Sequence, residues 1–259
     1  MKADKSLGQH FLEDVEVLRE IADVADVGRS SGVLEIGPGE GALTAFLVKA
    51  GRPVHAIERD PRAIAAVTER LGSLVQITEG DALEVDLGTL LPAPVEGLDL
   101  PVVVGNLPFN IGTAIYRNVL GLRGRISRAV LMLQREVAER IVAQPSTRAY
   151  SPLTALTALT ARAWILRIVP PTAFRPRPKV DAAVLLVEGR TDARLAPEEV
   201  EGFLGVAYSL FRLRRKTLVH AAIDNSALEA VGLDLGQRPE DVDPETLLAL
   251  YRFLEEGSG

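Results

Sequence analysis

The chain's clearest chemical signal is Gly105-Asn106-Leu107-Pro108-Phe109, directly after the short apolar run Val102–Val104. The Asn106 side-chain oxygen and a backbone carbonyl, that of Leu107, supply two hydrogen-bond acceptors. Aimed at the two N–H bonds of an aromatic amine, they favour a pyramidal nitrogen whose lone pair is no longer delocalised into the ring. Pro108 fixes a backbone dihedral and removes a competing donor. Phe109 offers a flat apolar face on which a base can stack. With a good leaving group such as a sulfonium, this alkylation needs no strong base, because the nitrogen's proton becomes acidic once the new bond forms. The rate then comes from positioning and electrostatics. A plain tight turn after a strand could use the same residue types.

A second motif, Val33-Leu34-Glu35-Ile36-Gly37-Pro38-Gly39-Glu40-Gly41, reads as a strand running into a glycine-rich turn and a helix. Such turns let the backbone approach a ligand closely. In dinucleotide enzymes they cradle a pyrophosphate. Here Glu40 inside the loop suits a diphosphate poorly, and Glu35 on the strand could face a cationic ligand. Glu58 ends the next strand candidate, where an acid accepts hydrogen bonds from ribose hydroxyls. Asp81, in Glu79-Gly80-Asp81-Ala82, follows the third and could accept from an adenine amino group. Three consecutive strands thus end in a turn or an acid at one sheet edge. The trio resembles the class I S-adenosylmethionine-binding fold, with NAD binding as the competing reading.

The elements that position these groups alternate. Strands are expected at Val33–Ile36, Val54–Ile57, Val75–Thr78, Val102–Val104 and Ala129–Leu133, mostly apolar throughout and therefore covered on both faces. Helices are expected at Pro61–Leu71, capped by Asp60, at Arg135–Ala143, and at Tyr150–Ala161, with Ser151 as N-cap and Pro152 in the first turn. Trp164–Val169 and Ala182–Val187 read as further strands, with the lone Trp164 in the core, and the four prolines of Pro170–Val180 make a stiff extended connection. Beyond Gly189 the pattern turns helical, at Pro197–Phe211, Leu213–Ile223, Ala227–Val231 and Pro244–Leu254. Strand–helix alternation predicts an α/β doubly wound sheet over residues 1–189, followed by a small all-α domain over residues 190–259.

Composition removes several chemistries. The 259 residues include no Cys, which excludes disulfides, thiolate zinc sites and cysteine nucleophiles, and only three His, which makes a His-rich metal site an unfavourable reading. The absence of Cys fits a reducing cytoplasm. No N-terminal apolar stretch suits a signal peptide, and no run approaches the ~20 apolar residues of a membrane span. A net charge of −6 argues against a nucleic-acid partner. Cations nevertheless cluster at Arg123, Arg125 and Arg128, at Arg175, Arg177 and Lys179, and at Arg212, Arg214, Arg215 and Lys216. Binding needs only a local patch, although solvated faces balanced by nearby acids would look the same.

Taken together, these motifs resemble the KsgA-type ribosomal RNA adenine dimethyltransferases over nearly the whole chain. Gly8-Gln9-His10-Phe11-Leu12 matches the family's opening motif. Leu34–Gly39, Ala42-Leu43-Thr44, Ile57-Glu58, Gly80-Asp81-Ala82 and Gly105–Pro108 follow in order, then Met132–Val137. Phe174-Arg175-Pro176-Arg177-Pro178-Lys179-Val180-Asp181 is the most distinctive block, and Arg214–Leu218 and Arg238–Asp241 complete the match.

The resemblance implies a class I S-adenosylmethionine-dependent methyltransferase (Rossmann-like) with S-adenosyl-L-methionine as cofactor. His10, Leu12, Gly37, Glu58, Asp81 and Asn106 would line the cofactor. Asn106, Leu107, Pro108 and Phe109 would hold the target amine, and Phe174 would stack on the base's other face, which requires the base to leave its RNA stack. The substrate would be two adjacent adenines near the 3′ end of 16S rRNA in the assembling 30S subunit. The enzyme would be a cytoplasmic monomer with neither membrane nor metal, its helical domain and basic clusters gripping RNA. Position 10 is His where many members have Asn, position 109 is Phe where Tyr is usual, and Ser151-Pro152 replaces a common Gly-containing pair. A large-subunit (23S) rRNA methyltransferase conferring antibiotic resistance shares these motifs, but the RRKTL block and the long helical C-terminus favour the small subunit. A non-catalytic assembly or transcription factor on the same fold would have no need to keep Asn106-Leu107-Pro108.

Overall fold

A computed structural model describes residues 9–257. The strands are β1 (Phe11–Leu12), β2 (Val33–Ile36), β3 (Val54–Glu58), β4 (Gln76–Glu79), β5 (Val102–Asn106), β6 (Arg128–Gln134), β7 (Ala161–Val169), β8 (Phe174–Arg175) and β9 (Ala182–Gly189). The helices are α1 (Val15–Ala25), α2 (Thr44–Leu47), α3 (Pro61–Leu71), α4 (Gly112–Leu120), α5 (Arg135–Ile141), α6 (Pro152–Thr160), α7 (Val200–Phe211), α8 (Asn225–Ala230) and α9 (Pro244–Glu256).

Seven strands form one mixed sheet in the order β4-β3-β2-β5-β6-β9-β7. The first five are parallel neighbours, and β9 runs antiparallel against β6. Strands β2, β5 and β6, in the middle of the sheet, are buried along almost their whole length, in keeping with their mostly aliphatic runs, with Glu35 the acid among them. The reversal of strand order falls between β2 and β5, the position where doubly wound sheets open a ligand crevice. A separate two-stranded ribbon pairs β1 with β8 antiparallel, Leu12 opposite Phe174.

Local chemistry explains the helix starts. Asp60 caps α3 by accepting from the Arg62 amide at 3.0 Å, and Pro61 occupies the first turn. Ser151 and Thr154 form a reciprocal capping box at α6. On one face of the sheet, Val17, Leu18 and Ile21 of α1 and Leu47 of α2 pack with Val33, Val104, Val130 and Phe174 in one continuous core.

The chain divides into two compact units. One runs up to Ala138 and resumes over Ala163–Gly189; the other comprises Glu139–Arg162 and the chain from Arg190 onward. The helical unit thus takes Glu139–Arg162 as well as the chain from Arg190 onward. The physical reason is visible in α6: eight of its nine residues are buried, so it has no solvent face and packs among α7 and α9. Within this unit Phe203 and Tyr251 meet edge to face at 6.2 Å, and the buried Tyr150 hydroxyl donates to the Val242 carbonyl at 2.8 Å.

Two expectations are corrected. Leu213–Ile223 is not a helix; turns surround a single 3₁₀ turn at Leu218–His220. Trp164 is not a core residue. It lies on the edge strand β7, 42% exposed, in a row with the exposed Leu166 and Ile168. Among the described residues no helix is long and apolar enough to cross a membrane.

Candidate active site

The carboxyl ends of β2, β3 and β5 open onto a cavity of ≈ 360 Å³, a size ordinary for a small-molecule site. Its floor is the glycine-rich turn. Gly37, Gly39 and Gly41 all take left-handed backbone, at φ +70°, +56° and +76°. At Gly39 the requirement is double, because a Cβ would come within 3.0 Å of the Phe11 ring.

Residues 9–12 strap this turn. The Asn106 side-chain nitrogen donates to the His10 carbonyl at 2.9 Å, and Gln9 donates to Asp60 at 3.1 Å. The His10 ring meets the Pro176 carbonyl at 2.8 Å; a carbonyl only accepts, so Nδ1 carries the proton. Gln9, His10, Phe11 and Leu12 all line the cavity. Gly8, the first residue of the expected motif, lies outside the described residues.

Two carboxyls in the wall are buried. Glu58 is tied by its Oε1 to the amides of Arg59 (2.8 Å) and Asp60 (2.9 Å), and by its Oε2 to the Gly39 amide (3.3 Å), so it joins the end of β3 to the turn. Burial raises its pKa above the usual carboxylate range, against the pull of these three amides. Glu35 is 1% exposed, and its Oε2 has no hydrogen-bond partner among the described residues. Desolvation pushes its pKa up to about 7; the nearby Thr44 hydroxyl opposes this, and the negative charge of Glu58 adds to it. An unsatisfied carboxyl oxygen in a cavity wall is costly unless a cationic or hydrogen-bond-donating ligand completes it. Asp60, clasped by Arg62, is by contrast held well below the usual range.

At the end of β5 the Leu107 amide donates to the Met132 carbonyl at 3.0 Å, and the Leu107 side chain is buried, anchoring the loop. Because the Asn106 nitrogen is committed to His10, its Oδ1 is the end of the amide that accepts. Pro108 and the half-buried Phe109 continue the wall.

Ten sequence-selected positions now have places. His10, Leu12, Gly37, Glu58, Asn106, Leu107, Pro108 and Phe109 line one cavity. Two do not. Phe174 is buried and meets Phe109 edge to face, at 6.4 Å and 69°, so the expected parallel pair of rings is absent and Phe174 instead braces Phe109. Asp81 is not among the residues that line the cavity; its Oδ2 is bound to Arg59 Nη1 at 3.0 Å and its Oδ1 to the Leu83 amide at 2.9 Å. Sequence reading also passed over Phe11, Phe46, Arg59 and Arg70 in the wall. Only Arg59, adjacent to Glu58, carried a positional signal.

The whole arrangement has counterparts. The profile of the ribosomal RNA adenine dimethylase family matches residues 1–256. The chain belongs to this family. It is 36% identical to the ribosomal RNA small subunit methyltransferase A of Geobacillus thermodenitrificans, over 96% of the chain and 90% of that protein. It is also 36% identical to the Myxococcus xanthus protein of the same name, over 98% and 92%. Among solved structures, a dimethyladenosine transferase from Plasmodium falciparum superposes with a TM-score of 0.76 at 25% identity, covering 96% of this chain and 98% of that one. The 23S rRNA methyltransferase ErmE superposes with a TM-score of 0.67 at 26% identity, covering 95% and 99%.

The chain is accordingly a class I methyltransferase of ribosomal RNA, and S-adenosyl-L-methionine is its methyl donor. The cavity fits that donor. Left-handed glycines leave room beside the backbone, the orphaned Glu35 oxygen suits a cationic group, and Glu58 stands where hydroxyls would be bound.

Proposed function

We propose that the enzyme dimethylates the exocyclic amines of two adjacent adenines near the 3′ end of 16S rRNA, acting as a cytoplasmic monomer on the assembling 30S subunit. The observation that carries the site assignment is the Asn106 amide, whose nitrogen is fixed on the His10 carbonyl so that Oδ1 is the accepting end.

When bound, S-adenosyl-L-methionine supplies an electrophilic methyl on a sulfonium. The protein's own residues do the rest. Asn106 Oδ1 and the Leu107 carbonyl accept the two amine N–H bonds and turn the nitrogen lone pair outward. Pro108 keeps a competing N–H donor out of this loop. Phe109 stacks on the extruded base, a contact worth ~1–3 kcal/mol. Phe174 sets the tilt of Phe109 rather than forming the second slice of a sandwich. Glu58 and Gly37 hold the donor, with Leu12 and His10 closing over it.

The 16S preference rests on the two relatives named for the small subunit. The test is to incubate the protein and labelled donor in parallel with unmethylated 30S subunits and with free large subunits and map the modified nucleotides. Label on two neighbouring adenines near the 3′ end of 16S rRNA is the expected result. Label that appears only on 23S rRNA of free large subunits would overturn it.

A further inference from the structure

The solvent face of α7 belongs to none of the motifs above. Gly205, Tyr208 and Arg212 follow one another at spacings of three and four, so they stand in one row of the helix, and all three are exposed. The buried face is the other one, with Phe203, Leu204, Ala207 and Leu210. Arg212 ends the helix with helical backbone, at φ −58° and ψ −35°, so the row runs through it. Tyr208 is 50% exposed, and among the described residues neither its ring nor its hydroxyl has a partner; nor does the Arg212 guanidinium.

Gly205 is the unexplained member of the row. Glycine is the poorest residue in a helix interior after proline. The fold does not ask for it here, because a Cβ would meet nothing within 4 Å. Gly202, by contrast, is required: a Cβ there would come within 2.9 Å of the Tyr251 ring. The bare backbone at Gly205 therefore leaves a shallow notch beside Tyr208. The acid of this row, Glu201, stands one turn further back, whereas Arg215 and Lys216 lie exposed just past Arg212.

We propose that this face is a stacking site for an unpaired base of the ribosomal RNA. The base lies on the Tyr208 ring with its sugar over the notch at Gly205, and the Arg212 guanidinium holds the adjoining phosphate. Unpaired bases bind proteins by stacking on aromatic rings, and a guanidinium forks onto phosphate oxygens. A protein surface laid over the same row would have to supply a counter-charge for Arg212 or desolvate it. The proposal rests on ribosomal RNA as the substrate and is independent of which adenines are methylated.

Binding of the full chain to unmethylated 30S subunits without donor, measured by cosedimentation at several salt concentrations, tests it. Tyr208→Ala is expected to weaken binding by about tenfold with little change in salt slope, the scale of one base on one ring. Tyr208→Phe, which keeps the ring, should bind like the wild type. Arg212→Ala should weaken binding and lower the slope of log affinity against log salt by about 1. Gly205→Leu, which fills the notch, should weaken binding while the thermal unfolding midpoint holds or rises, since leucine is the better helix former. A purely structural role would move stability and binding together. Wild-type affinity in Tyr208→Ala or in Gly205→Leu would overturn the proposal, as would equal losses in Tyr208→Ala and Tyr208→Phe. On protein-free 16S rRNA the variants should rank in the same order; a ranking confined to the particle would give this face to a ribosomal protein and overturn the assignment. No methyl transfer is read, so failure here would leave the role of Asn106 and the choice of target adenines standing.

Discussion

A carboxyl group sealed from water beside a second carboxyl gives the site a pH signature. Glu35 has a folded-state pKa of about 7 against an ordinary 4.5. Between those values the folded protein binds more protons at this position than the unfolded chain does. Stability therefore falls as pH rises through that window, and the penalty is complete above pH 7. Glu35→Gln should remove this slope and stabilise the ligand-free protein above neutrality by up to about 3 kcal/mol, readable in urea melts on either side of the window. Ligand binding should respond in the opposite sense. A cationic ligand favours the ionised carboxyl, so affinity for the sulfonium-bearing S-adenosyl-L-methionine should rise with pH toward neutrality with proton release, and Glu35→Gln should flatten the dependence. At Asn106 the expectation concerns turnover. Asn106→Ala should lower methyl transfer by about a hundredfold or more, the scale seen when one oriented polar group is lost from a reacting centre. RNA binding, measured by filter retention, should be largely intact; unchanged turnover would remove the assigned role.

Elements carry the next constraint, because the strap and the turn hold each other. Gly39 combines a φ of +56° with the Phe11 ring 3.0 Å from where a Cβ would stand. Gly39→Ala should therefore destabilise the protein by about 1–2 kcal/mol for the backbone alone and loosen residues 9–12 as well. Denaturant unfolding would show the first, and faster proteolysis near the N-terminus the second. The same elements show how far sequence reading reaches. The central strands, α3 and the α6 cap were legible because short, mostly aliphatic runs, Asp60-Pro61 and Ser151-Pro152 each state a local rule. Leu213–Ile223 misled because its apolar residues recur at helical spacing while Arg214 is drawn elsewhere, to the Thr147 and Arg148 carbonyls and Glu240. Spacing gave no signal of how the Asp81 and Phe174 side chains are held. Neither the Arg59 partner nor the edge-to-face tilt is encoded in spacing, since both depend on rotamers chosen by tertiary neighbours.

At the scale of the whole molecule a net charge of −6 opposes the binding of a polyanion, so the local distribution of cations decides. In the second unit, Arg212, Arg215 and Lys216 are exposed, whereas Arg214 is clasped by Glu240 at 3.5 Å. Replacing Arg215 and Lys216 together by Ala should reduce the slope of log affinity for an rRNA fragment against log salt by about 1–2. Arg214→Ala should mainly lower stability and leave that slope nearly unchanged. The small-residue helix α6 says nothing in sequence about which unit it joins. The single tryptophan supplies a further consequence. Since Trp164 stands on the rim of the sheet-bearing unit and 42% of it meets solvent, the protein's indole emission should be red-shifted and open to acrylamide quenching in the native state. A fluorescence titration would consequently sense fraying of that rim strand first, and would be nearly blind to melting confined to the helices around Tyr150.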